Sequence, residues 1–133
     1  MKRAIKYFIA TFLAAAAISC SKSYPTDCKV IIVGRILSLS ENRPLENIKV
    51  TFNTVDDGES HYTDTYTDEY GMFLIEAENF HKPASGIVSA EDPEDRYTAA
   101  SINLEISWKG PAFNTEQKTF YINDCNFLLE KKK

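Results

Sequence analysis

Ser101-Ile102-Asn103-Leu104-Glu105-Ile106-Ser107-Trp108 decides the class of fold. Apolar and polar residues alternate along the whole stretch, the period of a strand with one face on a core and the other in water. Ile48, Val50 and Phe52 alternate in the same way with Lys49, Thr51 and Asn53. Lys29 to Leu37 carries Val and Ile on both faces, the pattern of a strand covered on both sides. Tyr62 to Thr67, Met72 to Ala77, Gly86 to Ala90, Lys118 to Ile122 and Cys125 to Leu129 complete the set. Ser40-Glu41-Asn42-Arg43-Pro44, Asp56-Asp57-Gly58 and Thr67-Asp68-Glu69-Tyr70-Gly71 supply turn chemistry between them, with Gly71 free to take positive φ. Short strands at spacings of roughly 8–14 residues predict an all-β sandwich of seven or eight strands.

The N-terminus has a different character. Lys2, Arg3 and Lys6 precede an uncharged, largely apolar run from Tyr7 to Ile18, and Ser19-Cys20 follows. This is the three-part layout of a secretory signal, and at 12 residues the run is too short for the roughly 20 that cross a bilayer. Ala17-Ile18-Ser19-Cys20 resembles the lipobox of bacterial lipoproteins. The resemblance implies cleavage before Cys20, which carries a diacylglycerol and an N-acyl chain of the palmitate type, enough for stable anchoring. The expected organisation is a signal peptide over 1–19, a lipidated cysteine and linker over 20–27, and a sandwich over 28–133. Ser21 behind the cysteine is not the aspartate of inner-membrane retention, and no acidic run follows. Together these point to the periplasmic face of the outer membrane. Seven linker residues span at most about 25 Å, so the domain should stay near its leaflet.

Residues 1–19 carry three basic residues and no acidic ones. The remaining 114 carry 12 Lys and Arg against 19 Asp and Glu, a formal charge of −7. That balance argues against nucleic acid and against attraction to anionic lipid. Lys131 to Lys133 reads as a solvated, disordered tail. Cys28 and Cys125 stand near the two ends of the sandwich. In an exported protein they either form a disulfide or pack as separate buried thiols.

Three segments of the first half resemble the carboxypeptidase regulatory-like domain. They are Gly34-Arg35-Ile36, Arg43-Pro44-Leu45-Glu46-Asn47-Ile48-Lys49-Val50, and Thr65-Tyr66-Thr67-Asp68-Glu69-Tyr70-Gly71-Met72-Phe73. The resemblance implies a transthyretin-like, Ig-like sandwich without catalytic residues of its own, with Gly34, Pro44, Asp68, Gly71 and Phe73 as its fold motif. Tyr24-Pro25-Thr26-Asp27 and the ending Tyr121 to Lys131 are similar to small bacterial lipoproteins found with radical-SAM enzymes. That likeness implies an envelope lipoprotein that is itself a target for modification.

The residues offer little catalytic chemistry. His61 and His81 are the only histidines, and neither stands at a metal-ligand or nucleophile spacing. The chain also lacks the C-terminal Tyr-Arg-Gly-Ser of the transthyretin-like hydrolases, so the expectation is a protein that is not an enzyme and has no cofactor besides the lipid. Glu91-Asp92-Pro93-Glu94-Asp95 offers carboxylates of the kind calcium takes, with Asp92, Glu94 and Asp95 as weak candidate ligands, but in no EF-hand spacing. Asp56, Asp57 and Glu59 form a second acidic group; both groups read as solvated loops that keep the domain soluble. Tyr62 and Tyr66 share one strand face, where they either roof the core or stack on sugar rings or a protein partner. Trp108 should lie in the core. The expected function is a membrane-anchored interaction or structural module with an envelope protein partner. The alternative is a calcium- or glycan-binding module using the loop acids and tyrosines.

Overall fold

The computed structural model describes residues 27–56, 59–80, 84–107 and 110–133. Residues 1–26, which include the expected signal peptide and Cys20, lie outside the described residues, as do Asp57, Gly58, His81, Trp108 and Lys109. Within them every regular element is a strand: β1 (Cys28–Ser38), β2 (Lys49–Asp56), β3 (Glu59–Tyr66), β4 (Met72–Phe80), β5 (Ala84–Glu91), β6 (Ala100–Ile106), β7 (Phe113–Asn114), β8 (Thr119–Ile122) and β9 (Phe127–Leu129). The sequence expects all of these but β7, which pairs with β8 only through Phe113↔Phe120 and Asn114↔Thr119.

Two sheets form the sandwich. One has the order β4-β1-β8-β7, with β9 also on β1; the other is β3-β2-β5-β6. β1 organises the first. It runs antiparallel to β4, from Val30↔Ala77 to Arg35↔Met72. Its other edge is shared by two parallel partners, β8 along Lys29 to Ile32 and β9 along Ile36 to Ser38. Between these partners the chain passes over β1, where the Cys125 amide donates to the Val33 carbonyl at 3.1 Å. A Cβ on Gly34 would meet the Cys125 carbonyl oxygen at 1.8 Å. Glycine is required by this close approach.

The inner faces interdigitate Val30, Ile32 and Ile36 of β1, Val50 and Phe52 of β2, Phe73 and Ile75 of β4, Val88 of β5 and Ile106 of β6. Ile102 and Leu104 are only partly buried, because β6 is an edge strand and has a neighbour on one side alone. At the C-terminus the expectation of a disordered tail is overturned. Tyr97 and Lys131 form an antiparallel bridge, and the Lys132 amide donates to the Arg96 carbonyl at 2.9 Å. The chain leaves β9 alongside Arg96 to Thr98, whose backbone groups take up its own.

Candidate functional site

The residues of the fold motif converge on one end of β1. Gly71 takes φ +74°, and a Cβ there would press on the Ile36 carbonyl oxygen at 2.5 Å and on Pro44 at 3.2 Å. Asp68 Oδ1 accepts the Tyr70 and Met72 amides, both at 2.9 Å, and closes the turn. Phe73 is buried beside Gly34 and packs against Phe127 at 6.4 Å between ring centroids. Asp68 Oδ1 is spent on backbone, so the motif holds the sandwich together; beside it lies a shallow depression of about 280 Å³ against Arg43, Pro44, Glu69, Glu94 and Arg96. Thr67 belongs to the same junction. Its hydroxyl accepts the Ile48 amide and donates to the Leu45 carbonyl.

The cysteine alternatives are decided by register. Cys125 is an unbridged buried thiol. Cys28 opens β1 opposite Phe80, whereas Cys125 sits beside Val33, about 16 Å further along the strand. A disulfide requires Cα atoms within about 7 Å. Burial, with the Asp124 charge adding to it, pushes the Cys125 thiol from 9.0 to about 11, so at neutral pH it is a small apolar side chain.

Asp92 corrects the expectation of a solvated acidic loop. Its side chain is fully buried and accepts the Glu94 amide at 3.0 Å, the Arg96 amide at 2.8 Å and the Arg96 guanidinium at 3.0 Å. Burial pushes its pKa up, but the Arg96 guanidinium and the two amides outweigh it and hold the carboxyl below its ordinary value. Those bonds occupy the lone pairs that a cation would need. Glu94 and Asp95 remain exposed, and no cluster of three His, Cys, Asp or Glu suited to a metal occurs among the described residues.

Two outward sheet faces remain. On the first sheet, Arg35↔Met72 and Val33↔Leu74 are paired across β1 and β4, and Leu37↔Leu128 across β1 and β9. Leu74 is 51% exposed and Leu128 57%, while Ile31, Val33 and Leu37 between them are half-buried. A hollow of about 390 Å³ lies against Arg35, Leu37, Asn126 and Leu128. The sequence expects β1 to be covered on both sides; its inner face is sealed and its outer face is not.

The second face is polar. Tyr62, Asn53, Ile87 and Asn103 stand in one row across β3, β2, β5 and β6. Tyr62 is 60% exposed and Tyr66 53%, so the tyrosines do not roof the core; Thr63 and Thr65 take the inward side of β3. Two adjoining depressions of about 570 and 320 Å³ share Asn53 and Ile87. Lys49, at one margin, pairs with Asp64 at 3.7 Å.

The sequence matches no protein-family model and no curated protein. Among solved structures the chain is similar to 3-chlorocatechol 1,2-dioxygenase from Rhodococcus opacus 1CP, with a TM-score of 0.55 and 17% identity over 84% of this chain and 62% of that one. It is similar to hydroxyquinol 1,2-dioxygenase from Pseudomonas putida DLL-E4, with a TM-score of 0.52 and 13% identity over 83% and 59%. A third likeness is to an (S)-allantoin synthase, at 0.50 and 8% identity over 85% and 46%. The chain thus spans less than two thirds of each neighbour. At these identities the likeness is one of fold. It nevertheless overturns the expectation that the protein is not an enzyme, since the same sandwich carries two dioxygenases and gives no ground for setting catalysis aside.

Proposed function

We propose that the protein is a lipid-anchored module of the bacterial envelope that binds another envelope protein through the outward face of the β4-β1-β9 surface. The observation that carries this reading is the exposure of Met72, Leu74 and Leu128 around half-buried Ile31, Val33 and Leu37 on one sheet face. Contiguous apolar surface of this kind, rimmed by charge, marks interaction sites. Arg35 stands inside this surface, between Val33 and Leu37 on β1, with its guanidinium donating to the Tyr70 carbonyl at 3.0 Å; the charged rim is the Lys29–Glu76 and Lys29–Glu78 pairs at 3.9 and 3.7 Å. The lipobox resemblance supports the anchor, on the periplasmic side of the outer membrane. A short linker would hold the face close to envelope proteins. A photo-crosslinking residue at Leu74 in intact cells should capture one defined protein, and Leu128→Glu should abolish the capture with folding intact. Equal capture from position 74 and from an exposed position such as Glu116 would overturn the reading. A second reading, a glycan-binding module, is favoured by the exposed tyrosines on the other sheet; calcium has no comparable support.

A further inference from the structure

The row Tyr62, Asn53, Ile87, Asn103 has an order that a general polar surface does not explain. Each member sits on a different strand, paired Asn53↔Tyr62, Asn53↔Ile87 and Ile87↔Asn103, so the four side chains are spaced by the strand interval and span roughly 14 Å. An aromatic ring comes first, then an amide, an isolated aliphatic group, and a second amide. Ile87 is 46% exposed and stands between the two amides. Among the described residues neither amide has a side-chain hydrogen-bond partner within the protein.

From this juxtaposition we infer that the outward face of the β3-β2-β5-β6 sheet binds chains of N-acetylated amino sugars. The inference rests on the glycan-binding reading and names its ligand class. The negative face of the Tyr62 ring attracts the polarised C–H groups of a pyranose. Asn53 and Asn103 can each donate and accept, which matches the N–H and C=O of an acetamido group. Ile87 gives its methyl an apolar seat that a plain hexose would leave in water. Charge narrows the class further. Lys49 is engaged with Asp64, Glu91 and Glu105 flank the depressions, and the chain beyond residue 19 is acidic. A polyanionic glycan is repelled and a neutral one is not. The shared chemistry occurs in wall glycan strands and in free or protein-linked glycans.

The test is titration of the folded domain at 0.15 M salt with three hexamers: β-1,4-linked N-acetylglucosamine, glucose, and deacetylated glucosamine. The acetylated chain should bind at least about tenfold more tightly than the glucose chain, and any binding of the deacetylated chain, a cation beside acidic groups, should fall away as salt is raised. Tyr62→Ala should weaken that binding at least about tenfold. Ile87→Ser should erase the preference over glucose, whereas Glu116→Ala, exposed and outside the row, should change nothing. Thermal unfolding of each variant verifies that it folds. Binding of glucose and N-acetylglucosamine chains with equal strength would overturn the inference and leave the glycan reading standing. Binding of none would overturn both. Pull-down on purified sacculi, against the soluble hexamer alone, distinguishes wall strands from other sources.

Discussion

The Thr67 hydroxyl accepts the Ile48 amide at 2.9 Å and donates to the Leu45 carbonyl at 2.6 Å, in a fully buried site. It joins the strand leaving β3 to the segment entering β2, where the Thr67 amide and carbonyl also bond to the Ile48 carbonyl and the Asn47 amide. Thr67→Val keeps the shape and strands both backbone groups, which should cost about 2–4 kcal/mol in denaturant unfolding. Thr67→Ser keeps the hydroxyl and should recover most of that. A Val variant as stable as wild type would remove the hydroxyl from the account. Gly34 is a sharper case. Its hypothetical Cβ lies 1.8 Å from the Cys125 carbonyl oxygen, and backbone cannot retreat as a side chain would. Gly34→Ala should therefore destabilise by more than about 3 kcal/mol. Gly110→Ala, with nothing within 4 Å of its Cβ and only a φ of +79° to strain, should cost about 1 kcal/mol. Similar losses at the two glycines would show that the crossing over β1 is not tight. The Gly34 requirement was legible as a glycine opening a family-like segment, but its cause was not. The cause is a contact between residues 91 positions apart in sequence.

At the scale of elements, the alternation of Ile48 to Asn53 and Ser101 to Ile106 was enough to find strands and their inner faces, because side-chain period is a local property. Pairing was less legible. β1 takes two parallel partners in succession, β8 and then β9, and nothing local distinguishes that from one antiparallel neighbour. β7 is two residues long, too short to carry a period. The Asp92 loop shows the same limit. Its acidic composition reads as solvated, yet Arg96 four residues later draws Asp92 inward and closes a capped turn. The depressed carboxyl fixes the sign of the pH dependence. Its stabilisation is complete above the ordinary carboxylate value of 3.8 and is lost as pH falls through the lower folded value. Asp92→Asn should cost roughly 1.5–3 kcal/mol at neutral pH, and the gap from wild type should shrink as the solution is acidified through that range. A gap independent of pH would mean that the carboxylate charge contributes nothing. Cys125 acts at the other end of the scale. Its raised thiol keeps the folded state protonated, so its contribution is complete below 9.0 and is lost as pH rises to about 11.

The whole molecule presents two unlike faces: an apolar one around Leu74 and Leu128, and a polar, aromatic one around Tyr62 and Asn53. A tethered sandwich can use both only if its anchor leaves both accessible. The predicted tether is short, about 25 Å when fully extended, and reaches the domain at Cys28, at one end of β1. Leu37 and Leu128 pair toward the other end of that strand, so an upright sandwich would hold this part of the apolar face away from the lipid, where a protein partner can reach it. The anchor itself is tested by Cys20→Ala, which should leave the protein uncleaved or soluble and without incorporated palmitate; unchanged labelling would remove the anchor. The side of the membrane is tested by protease. Added to intact cells, it should spare the domain, and after the outer membrane is opened it should digest it. Cutting in intact cells would turn the domain to the surface. There the tyrosine face would meet external glycans before wall strands, and a periplasmic partner for the apolar face would be out of reach.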